Sequence, residues 1–196
     1  MGFEIGRIGV GDGARLRAVR LAALAEAPGA FWQTHAGEAG RPPRDWDRRA
    51  ARGSAGDAHA TFLLRHSGEP VGMVNVHRPT HAPDFRELAA MWVGPAVRGT
   101  GAADLLLTTA LDWARSVDAI GVRLWVEVSN PAAQRLYLRH GFTQIRRPER
   151  EHENDEHRTD PAAKAYLPMA LPLTADAAGT PAFLDQATAP WTDESD

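Results

Sequence analysis

Residues 88–114 read LAAMWVGPAVRGTGAADLLLTTALDWA, in which a strand, a glycine-containing turn and a helix follow one another directly. Residues 88–93 are apolar on both faces, which is typical of a buried central strand. The apolar positions after the turn recur at helical spacing, which predicts an amphipathic helix. These positions are Ala103, Leu106, Leu107, Ala110, Leu111 and Ala114.

The turn between this strand and this helix, residues 98–103, has the chemistry of an anion site. Gly99 and Gly101 let the backbone come close to a ligand. The first N–H groups of a helix have no partners inside it, and the helix dipole favours negative charge there, for example a pyrophosphate. Arg98 adds a forked cationic donor. Two glycines alone are also compatible with a tight turn that binds nothing.

Two other kinds of phosphate-binding loop are excluded by the residues that they require. A P-loop ends in Gly-Lys-Ser/Thr, and that tripeptide does not occur in the chain. A dinucleotide-binding turn needs a third glycine where Asp104 stands. An anion at residues 98–103 is therefore not bound in either of those ways.

Residues 122–142 read VRLWVEVSNPAAQRLYLRHGF and predict a half-buried strand followed by a second helix. Ser129 or Asn130 is expected to cap this helix, with Pro131 at its first position. Gly141 is expected to end it.

Together the two stretches resemble the GNAT superfamily of N-acetyltransferases. Arg98, Gly99, Gly101 and Ala103 match its acetyl-CoA signature, Arg/Gln-x-x-Gly-x-Gly/Ala. Residues 130–142 match its second motif, N-x-x-A-x-x-L-Y-x-x-x-G-F. The resemblance implies the α/β (α+β) GNAT fold, with a mixed central β-sheet of about seven strands flanked by about four helices. It also implies a single acetyltransferase domain over residues 1–173.

The resemblance implies acetyl-CoA as the acyl donor and carries its binding residues over by position. In the family, amides of the turn bind the pyrophosphate, the preceding strand pairs with the pantetheine arm, and the asparagine of the second motif lies beside that arm. These roles fall on Met91, Trp92, Val93, Arg98, Gly99, Thr100, Gly101, Ala102, Ala103 and Asn130. Asn130 is also compatible with a plain helix cap, and Trp92 with a core residue.

Two residues are the candidate catalytic groups. Tyr137 matches the family tyrosine whose hydroxyl protonates the departing thiolate, although its place on the apolar stripe also fits a core aromatic. An amine attacks only after losing its proton, and Glu87, just before the central strand, is the candidate general base. Ala89 and Ala90 depart from the carboxylate that many members carry on that strand. Glu87 is equally compatible with a solvated charge at a strand end.

The implied reaction is direct transfer of an acetyl group to a primary amine of a small molecule or peptide. The chain has no cysteine, so a cysteine acyl-enzyme is excluded. Phe31 and Trp32 lie where family members place a substrate-facing loop, and they are the candidate substrate-binding residues. The alternative function is a regulatory or interaction module that binds CoA on the same scaffold. Dimers are common in the family, so a homodimer is also compatible with the resemblance.

Composition narrows the class of protein further. The net charge of −3 gives no sign of a nucleic-acid surface, and no apolar stretch is long enough to predict a membrane span. The opening MGFEIGRIGVGDG lacks a basic leader and an apolar signal core, which favours a cytoplasmic location. Of 22 basic residues only Lys164 is lysine, which is typical of a GC-rich bacterial genome.

Two polar segments are predicted to carry no site. His152 and His157 stand among acidic residues in the stretch 146–161, and we interpret this stretch as a solvated loop and not a metal site. Residues 174–196 hold acidic residues and no basic one, which predicts a disordered tail. Deletion of residues 175–196 is therefore expected to leave melting temperature and CoA affinity nearly unchanged.

Overall fold

A computed structural model describes residues 2–145, 165–175 and 180–189 of the chain. Seven strands lie in these ranges: β1 Phe3–Arg7, β2 His59–His66, β3 Glu69–His77, β4 Phe85–Val93, β5 Gly121–Glu127, β6 Thr143–Gln144 and β7 Tyr166–Pro172. The same ranges contain six α-helices: α1 Gly13–Glu26, α2 His35–Ala39, α3 Pro43–Ser54, α4 Ala102–Ser116, α5 Pro131–Arg139 and α6 Pro181–Ala187. The strand order is β1-β2-β3-β4-β5-β7-β6.

These elements confirm the predicted fold class, a mixed sheet of seven strands with helices around it. The helix α4 begins at Ala102, directly after the glycine turn, as its apolar stripe predicted. The short helix α2 was not predicted, because five residues are too few to show a helical period. Its start is fixed by Thr34, whose side-chain oxygen accepts a hydrogen bond from the Gly37 amide.

The described residues form two compact units. The first comprises Met1–His77 and Leu88–Trp113. In this unit β1 pairs with β2, and β2 with β3, both antiparallel. One apolar cluster of this unit consists of Ile8, Leu16, Val19, Trp46, Ala50, Leu63 and Met73.

The second unit comprises Arg78–Glu87 and Ala114–Asp196. In this unit β7 pairs antiparallel with β5 on one side and with β6 on the other. Its apolar cluster consists of Ala82, Phe85, Ala170, Phe183 and Ala187. Whether residues 1–173 act as one domain stays a prediction.

The C-terminal segment corrects one expectation, because part of the predicted disordered tail 174–196 is an ordered helix. Phe183 on α6 is only 6% exposed, and its ring centroid lies 5.1 Å from that of Phe85. Gln186 donates from Nε2 to Asp84 Oδ2 at 2.7 Å and accepts from the Asp84 amide at 3.0 Å. The expectation rested on the acidic composition of the segment. It overlooked an apolar helix face formed by Phe183 and Ala187 at i and i+4, which packs in the apolar cluster of the second unit.

Two further expectations concern the parts of the chain that the structure describes. In residues 2–145, 165–175 and 180–189, no helix has the length and apolar content that a membrane span requires. Across the same ranges, no group of three metal-ligating side chains is present. The stretch 146–161, with His152 and His157, lies outside the described residues.

Candidate functional site

The end of β4 leads into the glycine turn and departs from a regular strand. Ala90 has a φ of 52°, in the left-handed region that a non-glycine residue seldom adopts. Beyond it, the Gly94 amide donates to the Val71 carbonyl at 2.8 Å. A Cβ atom added at Gly72 would lie 3.0 Å from the Trp92 carbonyl oxygen. The last residues of β4 are therefore held close to β3 by backbone contacts on both sides of Val93.

The turn that follows depends on glycine for its conformation. Gly99 and Gly101 have φ values of 78° and 87°, which strain any residue with a side chain. A Cβ atom added to either glycine would meet no atom of the protein within 4 Å. Glycine is thus required at both positions because of the backbone conformation, and not because neighbouring atoms leave no room for a side chain. The space beside both residues is open to a ligand.

The N–H groups that open α4 are available to such a ligand. The first helical hydrogen bond runs from the Leu105 amide to the Gly101 carbonyl at 3.0 Å. The amides of Ala102 and Ala103 precede that bond, so they have no acceptor inside the helix. Thr100 Oγ1 donates to the Val97 carbonyl at 2.6 Å and fastens the turn. Open space beside unpaired amides at a helix start is the geometry of an anion site.

The Arg98 guanidinium is hydrogen-bonded within the protein, and its predicted contact with the cofactor stays a prediction. Nη1 donates to Glu26 Oε1 at 3.0 Å and Nη2 to Glu26 Oε2 at 2.6 Å. Nε donates to the Val93 carbonyl at 3.0 Å, and Trp92 Nε1 donates to Glu26 Oε2 at 3.0 Å. These contacts with Arg98 and then Trp92 lower the pKa of the Glu26 carboxyl. Sequence reasoning missed Glu26, since nothing at the end of α1 indicates a partner 72 residues later.

The two predicted substrate-binding residues differ in exposure. Phe31 is buried and packs with Ala23 and Leu24 and against the partly buried Ala90 and Trp92. Trp32, the next residue, is 53% exposed. The structure therefore places Phe31 beneath the surface at β4, and only Trp32 offers an open ring.

Asn130 belongs to the second unit, where it caps α5 as the sequence predicted. Its Oδ1 accepts a hydrogen bond from the Ala133 amide at 3.0 Å. Gln134 Nε2 donates to the Glu127 and Val128 carbonyls, which ties α5 to the end of β5. The amide nitrogen of the Asn130 side chain is not used by this cap, so a second contact is compatible with it.

Tyr137, also in the second unit, is 7% exposed. Its ring meets Phe142 edge-on, with the ring centroids 5.7 Å apart. Burial raises the pKa of the Tyr137 hydroxyl well above its ordinary value of 10.0, so the phenol keeps its proton throughout the physiological range. The Tyr137 ring is therefore part of the core, and its hydroxyl carries a proton at neutral pH.

Glu87 is not a solvated charge at a strand end. Glu87 and Arg123 are each 1% exposed, and Arg123 Nε donates to Glu87 Oε2 at 3.0 Å. Arg123 Nη1 also donates to the carbonyls of Gln186 and Ala189, at 3.1 and 2.8 Å. The carboxylate is thus part of a buried ion pair that reaches the C-terminal helix.

Comparison with known proteins points to one family. The sequence profile described as Acetyltransferase (GNAT) family matches residues 21–142, which is more than half of the chain. This range includes the glycine turn, both catalytic candidates and the Asn130 cap.

Relatives and solved structures agree with that match. An uncharacterized N-acetyltransferase of Mycobacterium tuberculosis is 38% identical over 106 residues, which is 49% of this chain and 63% of that protein. The chain spans less than two thirds of the length of the curated relatives it matches. A GNAT-family acetyltransferase from Streptococcus pneumoniae has the same fold, with TM-score 0.72, 19% identity and coverage of 87% of this chain and 99% of that one. A Salmonella typhimurium protein solved with its cofactor acetyl-CoA gives TM-score 0.68, 18% identity and coverage of 89% and 95%.

Proposed function

Since the chain belongs to the GNAT family of acetyltransferases, we propose that it transfers the acetyl group of acetyl-CoA directly to a primary amine of a small molecule or peptide. The observation that carries the proposal is the turn at residues 98–103. There, two glycines in the left-handed region stand beside open space at the start of a 15-residue helix. An acyl donor with a pyrophosphate fits this set of donors, because every one of them is an N–H group.

The residues of the turn are assigned to the diphosphate. The Gly101, Ala102 and Ala103 amides would hold its oxygens, and backbone groups of residues 91–93 would align the pantetheine arm. When bound, acetyl-CoA supplies an activated thioester carbonyl for attack by the amine. We assign Arg98 to positioning the turn, since its guanidinium already binds Glu26 and the Val93 carbonyl.

Proton transfer at the departing sulfur is assigned to Tyr137. The hydroxyl is protonated at neutral pH, and because burial raises its pKa and weakens it as an acid, the assignment requires that it lie beside the sulfur. The absence of cysteine from the chain favours a ternary complex over a cysteine acyl-enzyme. Glu87 as general base remains a prediction, and its ion pair with Arg123 supports a structural role as well.

Calorimetry and a thiol-release assay test the proposal together. Acetyl-CoA should bind the full chain, and S-acetylpantetheine, which lacks the diphosphate, should bind far more weakly. Free thiol should then be released from acetyl-CoA only when both the enzyme and a suitable amine from a panel of primary amines are present. Tight binding of acetyl-CoA with no thiol release from any amine would instead support the alternative function, a CoA-binding module.

A further inference from the structure

Arg20 is a feature of the first unit that acetyl transfer leaves unexplained. It lies on α1, is 7% exposed, and its guanidinium carbon lies 4.6 Å from the centroid of the Phe31 ring. Nη2 donates to Gln33 Oε1 at 2.8 Å. Nη1 is buried and has no acceptor among the described residues. A buried charged donor without an acceptor is costly, so its presence needs a physical reason.

The carboxylate nearest to Arg20 is hydrogen-bonded to two other arginines. Glu38 is buried, and Arg41 Nε and Arg49 Nη1 donate to its two oxygens at 2.8 and 2.6 Å. Arg20 Nε lies 4.0 Å from Glu38 Oε2, which is beyond hydrogen-bond distance. Three arginines therefore lie around one carboxylate, and neither of its oxygens accepts a hydrogen bond from Arg20.

Arg123 shows how the same chain satisfies an arginine whose role is structural. It is buried to a similar extent, yet its Nε donates to Glu87 and its Nη1 to two backbone carbonyls. Arg20 has one hydrogen bond and one distant carboxylate. The contrast indicates that an acceptor for Arg20 Nη1 lies beyond the residues that the structure describes.

Phe31 connects Arg20 to the strand that the proposed reaction uses. The guanidinium covers one side of the ring, and Phe31 belongs to an apolar cluster against which Ala90 and Trp92 on β4 pack. Residues 91–93 are those assigned to the pantetheine arm. A ligand group held by Arg20 would therefore lie beside an apolar cluster that β4 also contacts.

We propose that Arg20 binds an acidic group of the acceptor, so that the acceptor class is primary amines that also carry a carboxylate, such as α-amino acids. The inference rests on the proposed acetyl transfer. A carboxylate would accept the Nη1–H bond that is missing and would give it a charged partner. Burial lowers the pKa of Arg20 to about 10, so the guanidinium is still cationic at neutral pH.

Matched pairs of amines test the acceptor class in the full chain with acetyl-CoA. The pairs are L-leucine and isopentylamine, L-phenylalanine and 2-phenylethylamine, and L-lysine and 1,5-diaminopentane. We expect kcat/KM to favour the amino acid by at least about 10-fold in the pair that is used best, since hydrogen bonds between charged groups are worth that much. Arg20→Lys should lower kcat/KM for the amino acid by about 10- to 100-fold and change that of its decarboxylated partner by less than about 3-fold.

Arg41→Lys is the matched control, because it makes the same exchange on the same Glu38 and should keep the preference. Equal use of both members of every pair, or an equal loss on both in Arg20→Lys, overturns the inference.

If no amine turns over while acetyl-CoA binds, the proposed function fails instead, and calorimetry of the amino acids with CoA-loaded wild type and Arg20→Lys decides the inference. Should Arg20→Lys not fold, 4-methylpentanoate must compete with L-leucine in the wild type, and a lack of competition overturns the inference.

Discussion

Glu26 and Arg98 form a two-pronged ion pair that joins the last residue of α1 to the glycine turn, with Nη1–Oε1 at 3.0 Å and Nη2–Oε2 at 2.6 Å. The same carboxylate accepts from Trp92 Nε1 at the end of β4. One side chain thus connects the helix, the strand and the turn. The pair is partly exposed, so we expect it to contribute little to the free energy of unfolding and to act mainly by holding the turn in place.

The first prediction concerns this connection. Glu26→Gln should weaken acetyl-CoA binding by about 3- to 10-fold, because the turn must then be ordered by the ligand itself. Calorimetry with Glu69→Gln as the control, a change at an exposed position in the β2–β3 hairpin, measures the effect. Tighter binding in Glu26→Gln would mean that Glu26 competes with the diphosphate for the Arg98 guanidinium.

The pH dependence of this pair has a definite sign. The pKa of Glu26 is lowered in the folded protein from its ordinary value of 4.5, first by the hydrogen bond from Arg98. A lowered folded pKa adds stability that is complete above pH 4.5 and is lost as the pH falls through the folded value. The difference in melting temperature between the wild type and Glu26→Gln should therefore be constant from pH 7 to 5 and shrink below 4.5.

The second prediction separates backbone strain from ligand contact at Gly101. Gly101→Ala should cost about 1 kcal/mol of stability through its positive φ. Gly101→Glu should in addition lower acetyl-CoA affinity by at least about 100-fold, since a carboxylate would then face the diphosphate. Gly68→Ala is the control, because Gly68 has a φ of 83° and equally open surroundings away from the turn. If a folded Gly101→Glu protein binds acetyl-CoA with unchanged affinity, the diphosphate does not bind at this turn.

Periodicity and caps were enough to predict β4, α4, β5 and α5. The stripe from Ala103 to Ala114 predicted α4, and the Asn130 cap is observed at its expected amide. The side-chain partners of Glu26 and Glu38 could not be predicted, because an ion pair between distant residues leaves no local pattern in a sequence. Composition was misleading at α6, where an acidic segment carries an apolar face with a partner in the fold.

The third prediction concerns that helix. Phe183→Ala should destabilise the protein by about 3 kcal/mol, the low end for a buried phenylalanine, because a terminal helix can detach without global unfolding. Asp185→Ala, at an exposed position of the same helix, should change stability by less than about 0.5 kcal/mol. Urea unfolding of both variants measures the difference. If the two variants are equally stable, α6 contributes nothing to the free energy of unfolding and the tail is dispensable, as its composition predicted.

The fourth prediction concerns the buried pair of Glu87 and Arg123. Glu87→Gln should cost about 3 kcal/mol, because it removes a buried negative charge that accepts from the Arg123 guanidinium. Glu87→Gln combined with Arg123→Met should recover much of that loss. Single-turnover rates between pH 6 and 9 test the base role separately. A base at Glu87 requires a large loss at neutral pH in Glu87→Gln, whereas a structural residue leaves the shape of the profile unchanged.

The last prediction concerns Tyr137. Tyr137→Phe keeps the ring that packs edge-on against Phe142 and removes only the hydroxyl. Acetyl-CoA binding and melting temperature should persist, and the single-turnover rate should fall by about 10²- to 10⁴-fold, the usual worth of general acid catalysis.

Single-turnover rates are needed because slow product release would conceal the loss in kcat. Tyr166→Phe is the matched control, since Tyr166 is the other tyrosine of the chain and burial raises its pKa to about 12. That variant should react at close to the wild-type rate. If Tyr137→Phe does so too, the thiolate leaves with a proton from water and Tyr137 serves only the core. If Tyr137→Phe loses acetyl-CoA binding as well, its hydroxyl acts through a structural hydrogen bond.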